Sequence, residues 1–132
     1  MPQYVVERSA RILNQRGKSL KDAKVLILGV AYKQDIDDYR ESPALKVING
    51  FESALSAVDY YDPYIPKYKD KGVRKESVGA ISPEIIKGYD IIVITTCHSN
   101  IDYAMVQKSA QVIFDTKNAM KDISPRENII LL

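Results

Sequence analysis

Residues 24–43 read Lys24-Val25-Leu26-Ile27-Leu28-Gly29-Val30-Ala31-Tyr32-Lys33-Gln34-Asp35-Ile36-Asp37-Asp38-Tyr39-Arg40-Glu41-Ser42-Pro43, and their order decides the fold. Val25 to Leu28 form a short apolar run suited to a buried strand, with the strand expected over residues 24–29. Ser42 is placed as an N-cap, and Pro43 falls at the first helical position, where its missing N–H costs nothing. A strand, a polar loop and a capped helix make up the opening unit of a parallel α/β sheet. In such sheets ligands bind beyond the carboxyl ends of the strands. Loops between strand and helix normally run about two to six residues. This one is much longer and rich in charge and tyrosine, which marks it as a ligand site.

The pattern continues outward in both directions. Upstream, Val5, Val6, Ser9, Ile12 and Leu13 recur at helical spacing before the terminator Gly17, predicting a helix over Pro2–Gln15. Downstream, a helix over residues 44–55 would bury Leu45, Ile48, Val47 or Phe51, and Leu55, with Asn49-Gly50 weakening it by about 1 kcal/mol. Residues 57–61 predict a second strand ended by Asp62-Pro63, and residues 64–79 an irregular lysine-rich connection holding one short strand or turn. Ser82-Pro83-Glu84 opens a short helix, and residues 90–95 carry the strongest strand signal, a near-continuous apolar run suited to a central parallel strand. A helix over 102–109 and strands over 111–115 and 128–132 complete the pattern. The expected fold is α/β: a Rossmann-like three-layer sandwich on a mostly parallel sheet of five to six strands, preceded by an N-terminal helix.

Composition limits the partners. The 132 residues suffice for one domain, and 45% hydrophobic with 27% charged residues is globular composition. A net charge of +2, with neither sign dominating any long block, speaks against a nucleic-acid or membrane surface. No apolar run approaches the ~20 residues that span a bilayer. The start, Met1-Pro2-Gln3-Tyr4, lacks the pattern of a secretory signal, and a lone Cys97 fits a reducing compartment, so a cytoplasmic protein is expected.

Several familiar chemistries fail on spacing. A dinucleotide fingerprint needs G-x-G-x-x-G after the first strand, and only Gly29 is present. The set Asp37, Asp38, Asp62, Thr95 or Thr96, and Lys117 superficially matches a phospho-acceptor receiver, but the acidic pair lies too far past its strand. Cys97 and His98 are adjacent at a strand end and point apart, so they do not form a nucleophile pair. Cys97 reads as a small half-buried residue and His98 as the start of a loop. One His and one Cys are too few for a zinc site, and no metal is expected. Within the long loop, Lys33 and Arg40 could meet a phosphate, Arg40 through a bidentate fork. Equally, the loop could simply be solvated, with Arg40 paired to Asp37 or Asp38. The ring of Tyr32 could stack on a base or pack against the next strand, and pattern alone favours packing.

Gly29-Val-Ala-Tyr-Lys33, Asp37-Asp38-Tyr-Arg40-Glu41-Ser42-Pro43-Ala-Leu and Asp59-Tyr-Tyr-Asp62-Pro63 together resemble the carboxy-terminal domain of the UDP-glucose/GDP-mannose dehydrogenase family, the nucleotide-sugar 6-dehydrogenases. The likeness covers nearly the whole chain. Residues 1–17 resemble the end of a connecting helix, and residues 18–132 the UDP-sugar-binding domain. The resemblance implies that Tyr32 and Lys33 contact the nucleotide end of a UDP-sugar and that Arg40 reaches toward NAD phosphate across a domain cleft. Near Lys117 many members carry an arginine. A substrate contact there would be a point charge without the fork.

Members of this family bind NAD mainly through an amino-terminal Rossmann domain and carry the catalytic cysteine in a central domain, so this chain is expected to hold no catalytic residue and to be inactive alone. The complete enzyme would oxidise a sugar C6 alcohol to the carboxylate in two hydride transfers to NAD. The motif wording leans toward the UDP-N-acetylhexosamine branch. Full-length members would form homo-oligomers, largely through the central domain. The competing expectation is a free-standing, non-catalytic nucleotide-binding or regulatory module on the same fold.

Overall fold

The computed structural model describes residues 2–124 and 126–132; Met1, the first residue of the expected connecting segment, lies outside them. In chain order the elements are α1 (Pro2–Gln15), β1 (Lys24–Leu28), α2 (Pro43–Ser53), β2 (Ala57–Tyr61), β3 (Lys67–Asp70), β4 (Val73–Glu76), α3 (Pro83–Lys87), β5 (Ile91–Ile94), α4 (Tyr103–Ser109), β6 (Ile113–Asp115) and β7 (Ile129–Leu131). Five strands form one parallel sheet in the order β2-β1-β5-β6-β7. The chain leaves β1 toward β2 on one side and later returns to β5 on the other. The switch point, where ligand crevices open in such sheets, therefore lies beyond the carboxyl ends of β1 and β5.

Strand alternation explains the three layers. Val25 and Ile27 of β1 face one side with Phe51, Val47, Leu13, Ile12 and Phe114, under α1 and α2. Leu26 and Leu28 face the other side with Ile86, Ile92, Ile94, Val106 and Ile113, under α3 and α4. Helices on both faces leave the central strands without a wet side, so β1 and β5 are almost wholly apolar. The caps are those expected from sequence: Ser42 accepts from the Ala44 amide and Ser82 from the Ile85 amide. In α4, Asp102 accepts from the Met105 amide. Gly50 keeps its place inside α2 because α1 crosses there; a Cβ on Gly50 would come within 2.8 Å of Val6 Cγ2. Arg8 of α1 lies over the Phe114 ring at 5.5 Å and donates to the Leu131 carbonyl at 3.3 Å, seating the helix on the far strands.

Two expectations need correction. Helix α2 ends at Ser53, and Leu55 is 67% exposed instead of buried. The Leu55 amide donates to the Glu52 carbonyl and the Ser56 amide to the Phe51 carbonyl, a Schellman ending that puts Leu55 at φ 68° and turns its side chain outward. Residues 64–79 hold an antiparallel hairpin of two strands, where one strand or turn was expected. Its turn residues Lys71 and Gly72 both have positive φ, as a tight hairpin turn requires. The buried ring of Tyr68 holds it down against Tyr60 (5.2 Å) and Tyr39 (5.6 Å). Lys75 pairs with Glu52, and Asn49 donates to Asp70 at 3.1 Å, tying the hairpin to α2.

Candidate functional site

The β1 strand delivers the chain to Gly29, where it must pass very close to β5. Gly29 has φ 90°, and a Cβ there would lie 2.5 Å from Thr96 Cβ and 2.6 Å from the Thr96 carbonyl oxygen. Only glycine meets both conditions. Thr95 donates its hydroxyl to the Gly29 carbonyl, and Thr96 donates to the Ala31 carbonyl at 2.8 Å. The loop is thus stitched to the end of β5 before it rises toward solvent.

The next anchor is Asp62, at the end of β2 and 2% exposed. Its Oδ2 accepts from the amides of Val30 (2.8 Å) and Ala31 (3.0 Å) and from His98 Nε2 (2.8 Å), while Oδ1 accepts from the Tyr64 amide (2.8 Å). Burial pushes the Asp62 carboxyl up, but the bonds from His98 and from the Tyr64 and Val30 amides outweigh it and hold the group below the usual carboxylate range. His98 itself is fully buried. Its Nδ1 accepts from the Asp35 amide at 2.8 Å, which leaves the proton on Nε2 to donate to Asp62. The Tyr64 ring covers the imidazole at 4.9 Å, and Tyr103 donates to the His98 carbonyl at 3.0 Å. Asp35 closes the circuit by accepting from the amide and hydroxyl of Ser99, both at 2.8 Å. Those two bonds hold its carboxyl low.

A second buried carboxylate, Asp115 at the end of β6, shapes the other wall. It accepts from the amides of Lys117 (3.1 Å), Ala119 (3.0 Å) and Met120 (2.8 Å), curling residues 116–120 over the strand end. Thr116 donates back to the Ile94 carbonyl.

Between these walls lies a cavity of about 420 Å³ lined by Ala31, Tyr32, Lys33, Pro43, Ala44, Val47, Thr95, Thr116 and Lys117, with Pro2, Val5 and Leu132 beside them. Tyr32 and Lys33 meet here with Lys117, which lies far from them in sequence. Tyr32 is 51% exposed, so the packing expectation for its ring is corrected: Asp62 and Thr96 hold the Ala31 backbone inward, and the next side chain turns out. The two ammonium groups and the positive end of α2 give an anion-attracting mouth over an apolar wall. Arg40 stands outside this cavity, in a neighbouring concavity with Tyr32, Asp38 and Glu41. Its guanidinium is bidentate on Asp38, at 3.1 and 3.3 Å, with a side chain 84% exposed. The pair holds the Asp38 carboxyl low and raises Arg40.

The switch point does not fit a dinucleotide's pyrophosphate. The Val30 and Ala31 amides, which would have to cradle it, are already given to Asp62. Sequence reasoning missed the Asp62–His98 pair and Asp115. The available signal was positional: Asp62, His98 and Asp115 all fall at or just past predicted strand ends, the edge where sites form. Among the described residues no cluster of His, Cys, Asp and Glu could hold a metal ion, and no helix is long and apolar enough to cross a membrane.

Residues 26–122 match the model of the UDP-glucose/GDP-mannose dehydrogenase family, UDP binding domain. A UDP-N-acetyl-D-mannosamine dehydrogenase of Methanocaldococcus jannaschii is 36% identical over 129 residues, covering 91% of this chain and 27% of that protein. A UDP-N-acetyl-D-glucosamine 6-dehydrogenase of Salmonella typhi is 26% identical, covering 89% and 28%. The solved structure of the UDP-D-ManNAc dehydrogenase of Pyrococcus horikoshii superimposes with a TM-score of 0.74 at 27% identity, covering 98% of this chain and 29% of that one. The chain spans less than a third of the length of these relatives.

Proposed function

The chain belongs to the UDP-glucose/GDP-mannose dehydrogenase family, whose UDP binding domain it contains, and from that premise we propose that it is the substrate-binding part of a longer, NAD-dependent UDP-sugar 6-dehydrogenase. The observation that carries this reading is the convergence of Lys33, Lys117 and the α2 N-terminus on one apolar-walled cavity at the carboxyl edge of the sheet. Lys33 and Lys117 hold the diphosphate as point charges, and the exposed ring of Tyr32 offers a stacking face for the uracil. Arg40, pinned by Asp38 outside the cavity, presents its free edge to NAD phosphate supplied from another domain.

NAD supplies the hydride acceptor. No step of that transfer is assigned to these 132 residues, because the crevice amides are committed to Asp62. A UDP-N-acetylhexosamine is the proposed substrate, on the motif wording and on the activities that name the mannosamine and glucosamine enzymes to which the chain is similar. The product would be the corresponding uronic acid, in the cytoplasm, with oligomerisation through the other domains.

Calorimetric titration of the 132-residue chain with UDP tests the reading. Saturable binding of UDP, weaker binding of UMP and no NADH formation from NAD and UDP-N-acetylglucosamine are expected. Absence of UDP binding removes the substrate-domain role, and NADH formation removes the claim that the chemistry lies elsewhere.

A further inference from the structure

The loop that bears Tyr32 and Lys33 is closed on itself by a 2.6 Å bond from the Tyr32 amide to the Asp38 carbonyl. Within it, Lys33 sits between two clamps. On one side Ala31 is held by Asp62, Thr96 and Ser42. On the other side Asp35 is held by His98 and Ser99. Both clamps end on a single imidazole, through Nε2 to Asp62 and through Nδ1 to the Asp35 amide.

We propose that His98 is a positioning residue for substrate binding: its imidazole, bridging Asp62 and the Asp35 amide, holds the Lys33 loop in the form that presents Tyr32 and Lys33 to the nucleotide diphosphate. Nothing in this role requires His98 to touch the ligand, since it is fully buried behind the loop. A neutral imidazole carries one donor and one acceptor on opposite edges of a single rigid ring, so it bonds an aspartate and a backbone N–H at once. The positive φ of Asp35, 59°, gives the clamp its turn: the loop reverses at this residue, so its amide points back to β5. A loop released at Asp35 would keep its Ala31 anchor and lose the orientation of Lys33. Lost order of this kind is charged against binding, because the ligand must then restore it.

The ligand part of this inference rests on the UDP-sugar reading; the ordering part does not. The test compares the 132-residue chain with His98→Leu, which fills the space without either bond, and His98→Asn, whose side-chain oxygen can replace Nδ1 as acceptor for the Asp35 amide. Backbone nitrogen relaxation at Lys33 and Gln34 is read without ligand, and UDP affinity by calorimetry. His98→Leu is expected to mobilise Lys33 and Gln34 while the β1 and β5 amides stay rigid, and to weaken UDP about tenfold. His98→Asn should restore loop order and most of the affinity. Where His98→Leu fails to fold, His98→Lys, which keeps a donor to Asp62 and has no acceptor for the Asp35 amide, takes its place. An ordered loop in the variant that lacks the Asp35 acceptor overturns the inference, as does a mobile loop with unchanged UDP affinity. A parent chain that does not bind UDP overturns the substrate-domain reading instead, and the relaxation data still decide whether His98 orders the loop.

Discussion

His98 Nε2 lies 2.8 Å from Asp62 Oδ2, and neither side chain has any exposed surface. The contact joins the ends of β2 and β5 across β1, so the two flanking strands grip the loop that leaves the strand between them. The gripped segment carries Tyr32 and Lys33, while an unrelated carboxylate, Asp115, sets the wall bearing Lys117. The site is therefore built on two buried aspartates whose partners are mostly backbone N–H groups.

Asp62→Asn should destabilise the chain by about 2–4 kcal/mol near neutral pH, because one amide cannot accept the four bonds the carboxylate takes. The Asp62 carboxyl is held below its ordinary value, so its contribution is complete above about pH 5 and is lost as pH falls below about 4, where the unfolded state takes up the proton first. Urea unfolding from pH 6 to pH 2.5 should show the gap between parent and Asp62→Asn narrowing in acid. A constant gap would mean that the charge plays no part.

Gly29 and Gly50 should respond differently to alanine. At Gly29 the new Cβ meets Thr96 Cβ and backbone at 2.5–2.9 Å with φ at 90°, so a loss of about 3 kcal/mol or more is expected. At Gly50 the obstacle is only Val6 Cγ2 at 2.8 Å. Val6→Ala should therefore rescue Gly50→Ala, and no substitution at Thr96 should rescue Gly29→Ala. Thermal unfolding of the double variants checks both.

Leu55→Gly should stabilise the chain by about 0.5–1 kcal/mol, since glycine removes the αL penalty at the end of α2 and little packing is lost at a residue 67% exposed. A fall in the denaturant midpoint would show that the leucine side chain contributes packing beyond its burial.

Lys33→Ala and Lys117→Ala should each weaken UDP binding about tenfold, the scale of one charge-assisted hydrogen bond. Affinity of the parent should fall with added salt, and the double variant should be much less salt-sensitive. Unchanged titrations for both would move the diphosphate out of the cavity.

Arg40→Ala should leave the unfolding midpoint unchanged, because the Asp38 pair is an exposed one. UDP affinity of the chain should also be unchanged, since Arg40 stands outside the cavity. In a complete enzyme the same variant should raise the KM for NAD. A rise in the KM for the UDP-sugar alone would reassign Arg40 to substrate.

Much was legible in the chain itself. The run Val25 to Leu28 and its counterpart Ile91 to Ile94 announce central parallel strands because burial on both faces demands apolar residues at every position. Ser42-Pro43 and Ser82-Pro83 announce helix starts because capping is a local matter of a few bonds. The hairpin at β3–β4 was only half legible, since Tyr68 packing on Tyr60 and Tyr39 and the ties from Lys75 and Asp70 to α2 are long-range contacts.

Sequence alone determined the α/β sandwich, and it proposed the long loop after β1 as the place to look for a ligand, with Tyr32, Lys33, Arg40 and Lys117 as residues to watch. Only the tertiary structure decided that Tyr32, Lys33 and Lys117 share one cavity, that Arg40 lies outside it, and that the loop residue His98 is a buried bridge. The physical reason is range. Periodicity and caps are set by neighbours along the chain, whereas Asp62, His98 and Asp35 find one another only when parallel strands bring their carboxyl ends to the same edge.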